Sequence, residues 1–423
     1  MRLTAEEQAI LDGQRGETLA KVMKSLVMYG DTFGAEKMVP ATGQAHLVTS
    51  FGLSVTTALF DVMDELIAAG LHAEQPFTMD PRPLDFENVP CNFLQRIVFG
   101  VMYGKQEDYE GQLRRLGLKN DKAFTCTCYM DEVGNVPARG QVLSWSESSA
   151  VVYANSVLGA RCNRNSAYMD IFGAILGRVP YFGLLTDEGR RASWVVEVKT
   201  SKRPEAQVLG SAIGLKVMED VPYYIKGLAP FLGGQLDDSA KAYLKDMGAA
   251  SASNGAVGLY HVEGLTPEAV DLGDALIRPG AKTYVIDDAE LERVKAGYPV
   301  IWKNPDAKPK LCFIGCPHLS LSQLIGWTEK LEGALQGGRL KIKTVLTAAP
   351  DVLEAFRKTP YFERLRATGA RLSYICPLMY MNNPLCKALP VITNSNKLRT
   401  YTAARYYTDD EVTAILVKGG EGA

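Results

Sequence analysis

Histidine is scarce in this chain: four residues in 423, at positions 46, 72, 261 and 318, which limits any imidazole-rich metal site. No run of about 18 uncharged apolar residues occurs, so no membrane-spanning helix is predicted. Neither sign of charge is in excess. Forty-six Lys and Arg stand against 48 Asp and Glu, a formal net charge of -2. That balance offers no basic stripe to nucleic acid or to an anionic membrane. Paired CxxC knuckles are missing, which leaves a structural zinc ribbon without support. Internal repeats and low-complexity segments are also absent. The first residues, MRLTAEEQAILDG, are acidic and lack an apolar run, so no signal peptide is expected and a cytoplasmic location follows.

What is present is ordinary globular material, 47% apolar and 22% charged, in a chain long enough for two or three cores. Composition shifts suggest domains over 1–140, 141–300 and 301–423. Thr4 and Glu7 form a T-x-x-E capping box that opens a helix. Gly30 is a candidate left-handed cap for the helical segment that follows. Residues 53–69 read as an amphipathic helix with Leu59, Val62, Met63 and Leu66 on one face and Gly70 closing it. Segment 76–91, with Asp80, Pro81 and Asp85, reads as a loop. Residues 194–200 predict a strand and 205–219 a helix. The Gly/Ala/Ser-rich stretch 247–257 reads as a flexible connection.

The last third alternates most clearly. Strands are predicted at 310–315, 343–349, 371–375 and 389–394, with helices from about Ser320 to Glu332, over 351–369 and from Ser395. Alternating strands and helices on short connections imply a parallel sheet. Ligands of such sheets bind outside the carboxyl ends of the strands. Cys316, Cys376, Asn394, Ser395 and Lys397 all fall there.

Eight cysteines, at 91, 126, 128, 162, 312, 316, 376 and 386, are not expected to form a disulfide framework in a cytoplasmic chain of this length. Cys312 sits inside an apolar strand and reads as a small core residue, as do Cys91, Cys162 and Cys386. Cys316 and Cys376 each precede a proline just past a strand, and Cys126 and Cys128 lie in a threonine-rich segment. Three thiolates from distant segments suit an iron–sulfur cluster. Two other readings use the same residues: Cys316 as a nucleophile with His318 as base, or zinc on Cys126, Cys128 and His318. Segment 146–164, SESSAVVYANSVLGARCNR, opens a helix on hydroxyls, whose free N–H groups suit an anion. Arg161, Arg164 and Lys397, flanked by Asn and Ser donors, suit a carboxylate or phosphate. The alternative for Arg161 and Arg164 is a surface pair with Asp187 or Glu188.

Together GCPHLSLSQL, SESSAVVYANSVLGARCNR, GRVPYFGLLTDEGRR and VITNSNK resemble the catalytic large subunit of aconitase X, from about residue 2 to the C-terminus. The resemblance implies an α/β fold: an aconitase-like multi-domain α/β/α architecture with mainly parallel sheets around a central cleft. It implies a hydro-lyase acting on a small hydroxy acid, with an iron–sulfur cluster (4Fe-4S or 2Fe-2S) on three cysteines. By motif these are Cys316, Cys376 and the first ligand, aligned at Cys126 with Cys128 in place of a proline, so that 126 or 128 stays open. Glu147, Ser148 and Ser149 match the family's E-S-S, and Asn155 and Arg161 its N-S-V-L-G-A-R. Asn163 and Arg164 match N-R; Asn394, Ser395 and Lys397 match T-N-S-x-K. Ser148, Ser149 and Arg161 are then expected at the chemistry. Ser50, Asp80, Pro81, Glu147, Asn155, Asn163, Arg164, Asn394, Ser395 and Lys397 are expected around the carboxylate substrate.

Three departures bear on the substrate. The usual T-L-N-P loop reads TMDP with Asp80, the usual D-T-C reads YIC, and a G-V-S stretch of the archaeal phosphomevalonate enzymes appears as LVTSFG. A charged Asp80 would favour an amine, which leans the expectation to cis-3-hydroxy-L-proline over mevalonate 5-phosphate. The family's base is a serine on a swivelling domain. No such segment is evident here, so a separate small subunit is expected as partner. A non-catalytic, iron-linked binding or scaffold protein is the competing class.

Overall fold

The computed structural model describes residues 1–48 and 57–419. Ser50 and the first residues of the helix predicted at 53–69 lie outside them; the described part of that helix runs Thr57–Ala68, and Gly70 follows it with φ +71°.

The chain is α/β, with its two larger sheets wholly parallel. The middle sheet is ordered β7 (Tyr260–Val262), β6 (Tyr223–Lys226), β5 (Ala192–Val198), β8 (Ile277–Ile286). The C-terminal sheet is ordered β11 (Arg371–Ser373), β10 (Lys343–Ala348), β9 (Leu311–Leu319), β12 (Val391–Thr393), β13 (Arg405–Tyr406). Two small pairings complete the set: β1 (Met38–Pro40) antiparallel to β4 (Arg178–Pro180), and β2 (His46–Leu47) parallel to β3 (Thr78–Met79). β3 lies inside the segment expected to be all loop. Every residue of β9 is buried, the pattern of a central parallel strand covered on both faces.

Three apolar cores organise these layers. One gathers the N-terminal helices with Ile171–Leu176, another joins residues of 128–162 to the middle sheet, and the third surrounds β9 and β10. The chain therefore passes into the second core near Cys128 and returns to the first before entering β5.

Several local expectations are corrected. Residues 247–255 are not a flexible connection but the second half of the helix Asp238–Gly255. Their small side chains allow close packing on the helix Ala206–Val217, where a Cβ on Gly255 would stand 2.1 Å from the Gly214 carbonyl oxygen. Gly30 lies within the helix Glu17–Thr32, and Gly34 takes the left-handed conformation instead. The helix expected over 351–369 is two, Pro350–Arg357 and Tyr361–Thr368, because Pro360 cannot continue a helix. The capping box of Thr4 and Glu7 is present, and Ser320 and Gln323 form another before the helix Leu321–Leu335.

The strand predicted at 310–315 runs on to Leu319. Its register with β10 holds to Ile314 opposite Leu346 and resumes at Leu319 opposite Ala348. Four residues, Gly315 to His318, are thus lifted out of the ladder, and Gly315 has φ +103°. A Cβ there would lie 2.5 Å from the Thr347 oxygen, so only glycine fits the start of the bulge. The Cys316–Pro317 peptide is cis. This bulge turns Cys316 towards the cleft.

Candidate active site

A cavity of about 460 Å³ opens between the three cores. It is lined by Asp80, Pro81, Cys126, Ser146, Glu147, Ser148, Gly315, Cys316, His318, Cys376, Leu378, Asn382, Lys397 and Tyr401, among others. Each comes from a segment end. Asp80 follows β3; Glu147 is the N-cap of the helix Ser148–Ser156; Cys376 caps the helix Pro377–Met381; Lys397 lies in the helix Asn396–Tyr401.

All three cysteines of the motif set reach this cavity. The Cys126 Sγ accepts the His318 backbone N–H at 3.3 Å, and the Ser395 hydroxyl donates to the Cys316 carbonyl. The Cys376 backbone N–H donates to the Arg82 carbonyl at 2.9 Å. Burial raises the pKa of all three thiols. Cys316 raises Cys126 and Cys376 further, while Lys397 opposes the shift at each. Cys316 thus acts on both of the other sulfurs, and Lys397 acts on all three. Cys128, the rival for the first position, is buried in the second core beside Trp145 and does not line the cavity.

Opposite the thiols, Lys397 and Glu147 form a buried ion pair. Burial alone would raise Glu147, but the charge and hydrogen bond of Lys397 hold it at about 2, assisted by the Ser149 hydroxyl (2.6 Å) and the Ala150 N–H (2.7 Å). Ser149 is wholly buried and bonds both partners, the Lys397 ammonium at 3.3 Å. Ser148 lies one residue into the helix and faces the cavity.

Asp80 behaves differently from Glu147. Burial, and then the Glu147 carboxylate, push its pKa well up, with Lys397 acting the other way. Both effects favour the protonated form of the side chain, and its Oδ1 has no hydrogen-bond partner. Beside it is His46, a residue that motif reading passed over. Its Nδ1 meets the Thr78 hydroxyl at 2.9 Å, and burial lowers its pKa to about 4. Its one sequence signal is its rarity among four histidines.

The other motif residues lie elsewhere. Arg161 donates to the Leu185 carbonyl at 2.7 Å and pairs with Asp187 on the surface, as the simpler sequence reading had it. Asn155 is buried and spans Cys162, Gly258 and Arg190. Asn163 ties Phe182 to Leu184, and Arg164 packs on Gly258 near Asp220. Asn394 donates to Asp409 at 2.9 Å, and Ser395 caps the helix that carries Lys397.

The geometry also weighs the two rival cysteine readings. The His318 Nε2 meets the Ile375 carbonyl at 3.0 Å, which accepts only, so the Nδ1 is left to accept from Thr125 at 3.0 Å. Burial holds the imidazole at about 4. Both nitrogens are committed, so His318 is not free to take a proton from Cys316 or to ligate zinc. Among the described residues, no group of three or more His, Cys, Asp or Glu is arranged to hold a metal ion. A multi-iron cluster differs from a single ion, because its thiolates bind separate irons and need not converge on one point. Three thiols gathered on one cavity, an N–H donor to one sulfur and an ammonium on the same wall form a donor set that fits such a group.

Family models described as the aconitase X first, second and third domains match residues 1–188, 192–296 and 309–410. The phosphomevalonate dehydratase large subunit of Thermococcus kodakarensis is 33% identical over 351 residues, covering 82% of this chain and 81% of that one. The cis-3-hydroxy-L-proline dehydratase of Pseudomonas aeruginosa is 28% identical over 414 residues, covering 95% of this chain and 66% of that protein. The crystal structure of Thermococcus kodakaraensis aconitase X in its holo-form superposes with a TM-score of 0.82 at 28% identity, covering 99% of this chain and all of that one.

Proposed function

The chain belongs to the aconitase X family and is the large subunit of a hydro-lyase, and from that premise we propose that it dehydrates a phosphorylated hydroxy acid of the mevalonate 5-phosphate type. The observation that carries the chemistry is the meeting of Cys126, Cys316 and Cys376 with the Glu147–Lys397 pair in one cavity. The order of substrates reverses the sequence-based lean. Five relatives named phosphomevalonate dehydratase large subunits are 29 to 34% identical to this chain, that of Methanothermobacter thermautotrophicus reaching 34%, against 28% and 26% for two named cis-3-hydroxy-L-proline dehydratases.

 The charge argument for an amine also weakens, because burial favours the neutral form of Asp80, a hydrogen-bond donor.

An iron–sulfur cluster would be held by Cys126, Cys316 and Cys376, and would supply an electrophilic iron that eases departure of the substrate hydroxyl. The protein groups do the rest. Lys397, paired with Glu147, brings an ammonium to the cavity wall, and the first turn of the helix Ser148–Ser156 presents N–H groups to an anion. Together they favour a bound carboxylate and the charge that builds on it as the neighbouring proton is removed. The proton acceptor is expected on a separate small subunit, a partner supported by relatives named as large subunits.

The test is anaerobic co-production with the cognate small subunit, then measurement of iron, acid-labile sulfide and water elimination. Mevalonate 5-phosphate and cis-3-hydroxy-L-proline are offered in parallel. Iron, sulfide and turnover of the phosphate ester are expected. Turnover of hydroxyproline alone would overturn the substrate, and a protein without sulfide would overturn the cofactor.

A further inference from the structure

Away from the cleft, the amino edge of the C-terminal sheet carries an unusual row of cations. β11 begins with Arg371, β10 with Lys343, and Lys310 immediately precedes β9. The three strands are adjacent and parallel, so the row spans neighbours about 4.8 Å apart. Arg339 and Lys341 approach the same edge just before β10. None of these five pairs with a carboxylate among the described residues; Arg371 contacts only the Asn88 carbonyl, at 3.4 Å. Like charges gathered without counter-charge are unfavourable, and the whole chain has a net charge of only -2.

The row lines two joined cavities. The smaller, about 210 Å³, is walled by Arg339, Lys341, Lys343 and Arg371 with the backbone of Gly369. Gly369 has φ +91° and leaves room for the Arg339 guanidinium, which would lie 3.5 Å from a Cβ. The larger, about 420 Å³, shares Pro90, Lys343 and Arg371 with the first and continues over Phe86, Tyr380 and Leu389. No Asp or Glu lines either cavity. The smaller lobe is cationic; the larger sets an apolar wall of Phe86, Val89, Tyr380 and Leu389 beside Arg96 and Lys310, with Lys343 and Arg371 at the junction.

We propose that this edge is a binding site for an organic phosphate or diphosphate with a small apolar body, its anion held by Lys343 and Arg371. The chemistry follows from the lobes: guanidinium and ammonium groups for phosphate oxygens, and an apolar recess for the body that carries them. The site is separate from the catalytic cavity, which lies beyond the Cys316 bulge at the other end of β9.

Isothermal titration of the full chain with inorganic pyrophosphate and with octyl diphosphate tests it, using wild type, Lys343→Glu and Arg371→Glu, with circular dichroism to verify folding. Octyl diphosphate is expected to bind at least tenfold tighter than pyrophosphate. Each charge reversal should weaken both at least tenfold, and added salt should weaken them in wild type. Affinities unchanged in both variants would place the anion elsewhere, and no binding would remove the site; either overturns the proposal. Equal affinity for the two probes would overturn the apolar lobe. The readout needs no turnover, so it stands or fails apart from the catalytic assignment.

Discussion

The His46 Nε2 stands 3.9 Å from the Asp80 Oδ1, and neither atom has a hydrogen-bond partner. Buried polar atoms are rarely left unmatched, and Asp80 lines the cavity while His46 is fully buried beside it. In the neutral form that burial favours, Asp80 can donate as an asparagine would. Asp80→Asn should therefore retain turnover within about threefold, whereas Asp80→Ala should lose more than tenfold, mostly in kcat/KM. Equal losses in both variants would show that the carboxyl itself is required.

Cys128 is shielded in a core while Cys126 faces the cleft. Cys126→Ser, Cys316→Ser and Cys376→Ser should each reduce iron per chain to below a tenth after anaerobic purification. Cys128→Ser should keep it. Retained iron in the Cys316 variant would remove these thiols from the cofactor.

Lys397 and Glu147 neutralise one another in a buried setting. Lys397→Met strands a carboxylate and should cost about 3–5 kcal/mol. Adding Glu147→Gln should restore much of that stability in chemical denaturation without restoring turnover. A single variant as stable as wild type would contradict the pairing.

Gly315 starts the bulge that carries Cys316. An alanine there meets the Thr347 oxygen and a left-handed backbone, so Gly315→Ala should cost about 1–3 kcal/mol from backbone strain and lower iron content. Unchanged melting and iron would show that the bulge tolerates a side chain.

Asp170 lies outside the cavity, wholly buried, and burial raises its carboxyl to about 7 despite hydrogen bonds from Asn165 and Ser144. Below about pH 3.9 it is protonated folded and unfolded, and contributes nothing. As pH climbs towards 7 only the unfolded chain gains by ionising, so stability falls, by an amount on the order of 4 kcal/mol. Asp170→Asn should flatten that part of the stability profile. An unaltered slope between pH 4 and 7 in urea titrations of the two proteins would refute it.

Local pattern determined a good part of this protein. Alternating apolar runs and helix caps specify parallel strands at β9, β10, β11 and β12, because burial on both faces and short crossovers leave few other arrangements. The family resemblance also singled out Cys316, Cys376, Glu147 and Lys397, and left the first ligand open between Cys126 and Cys128. Tertiary structure alone decided which of these meet. Cys126 and Cys128 differ by two positions, yet one faces the cleft and the other a core, since the turn between them is set by contacts with Met79 and His318. Arg161, Asn155, Asn163, Arg164 and Asn394 carry the same motif weight as Lys397 but are consumed by nearby carbonyls and carboxylates. The Gly/Ala/Ser stretch at 247–255 reads as loose in isolation and is rigid in the fold, because its lack of side chains is what lets two helices touch. His46 and Asp80 lie 34 residues apart and meet only through the pairing of β2 with β3. Sequence encodes propensity within a few residues; partnership across the chain belongs to the packed state, where burial sets both neighbours and charge.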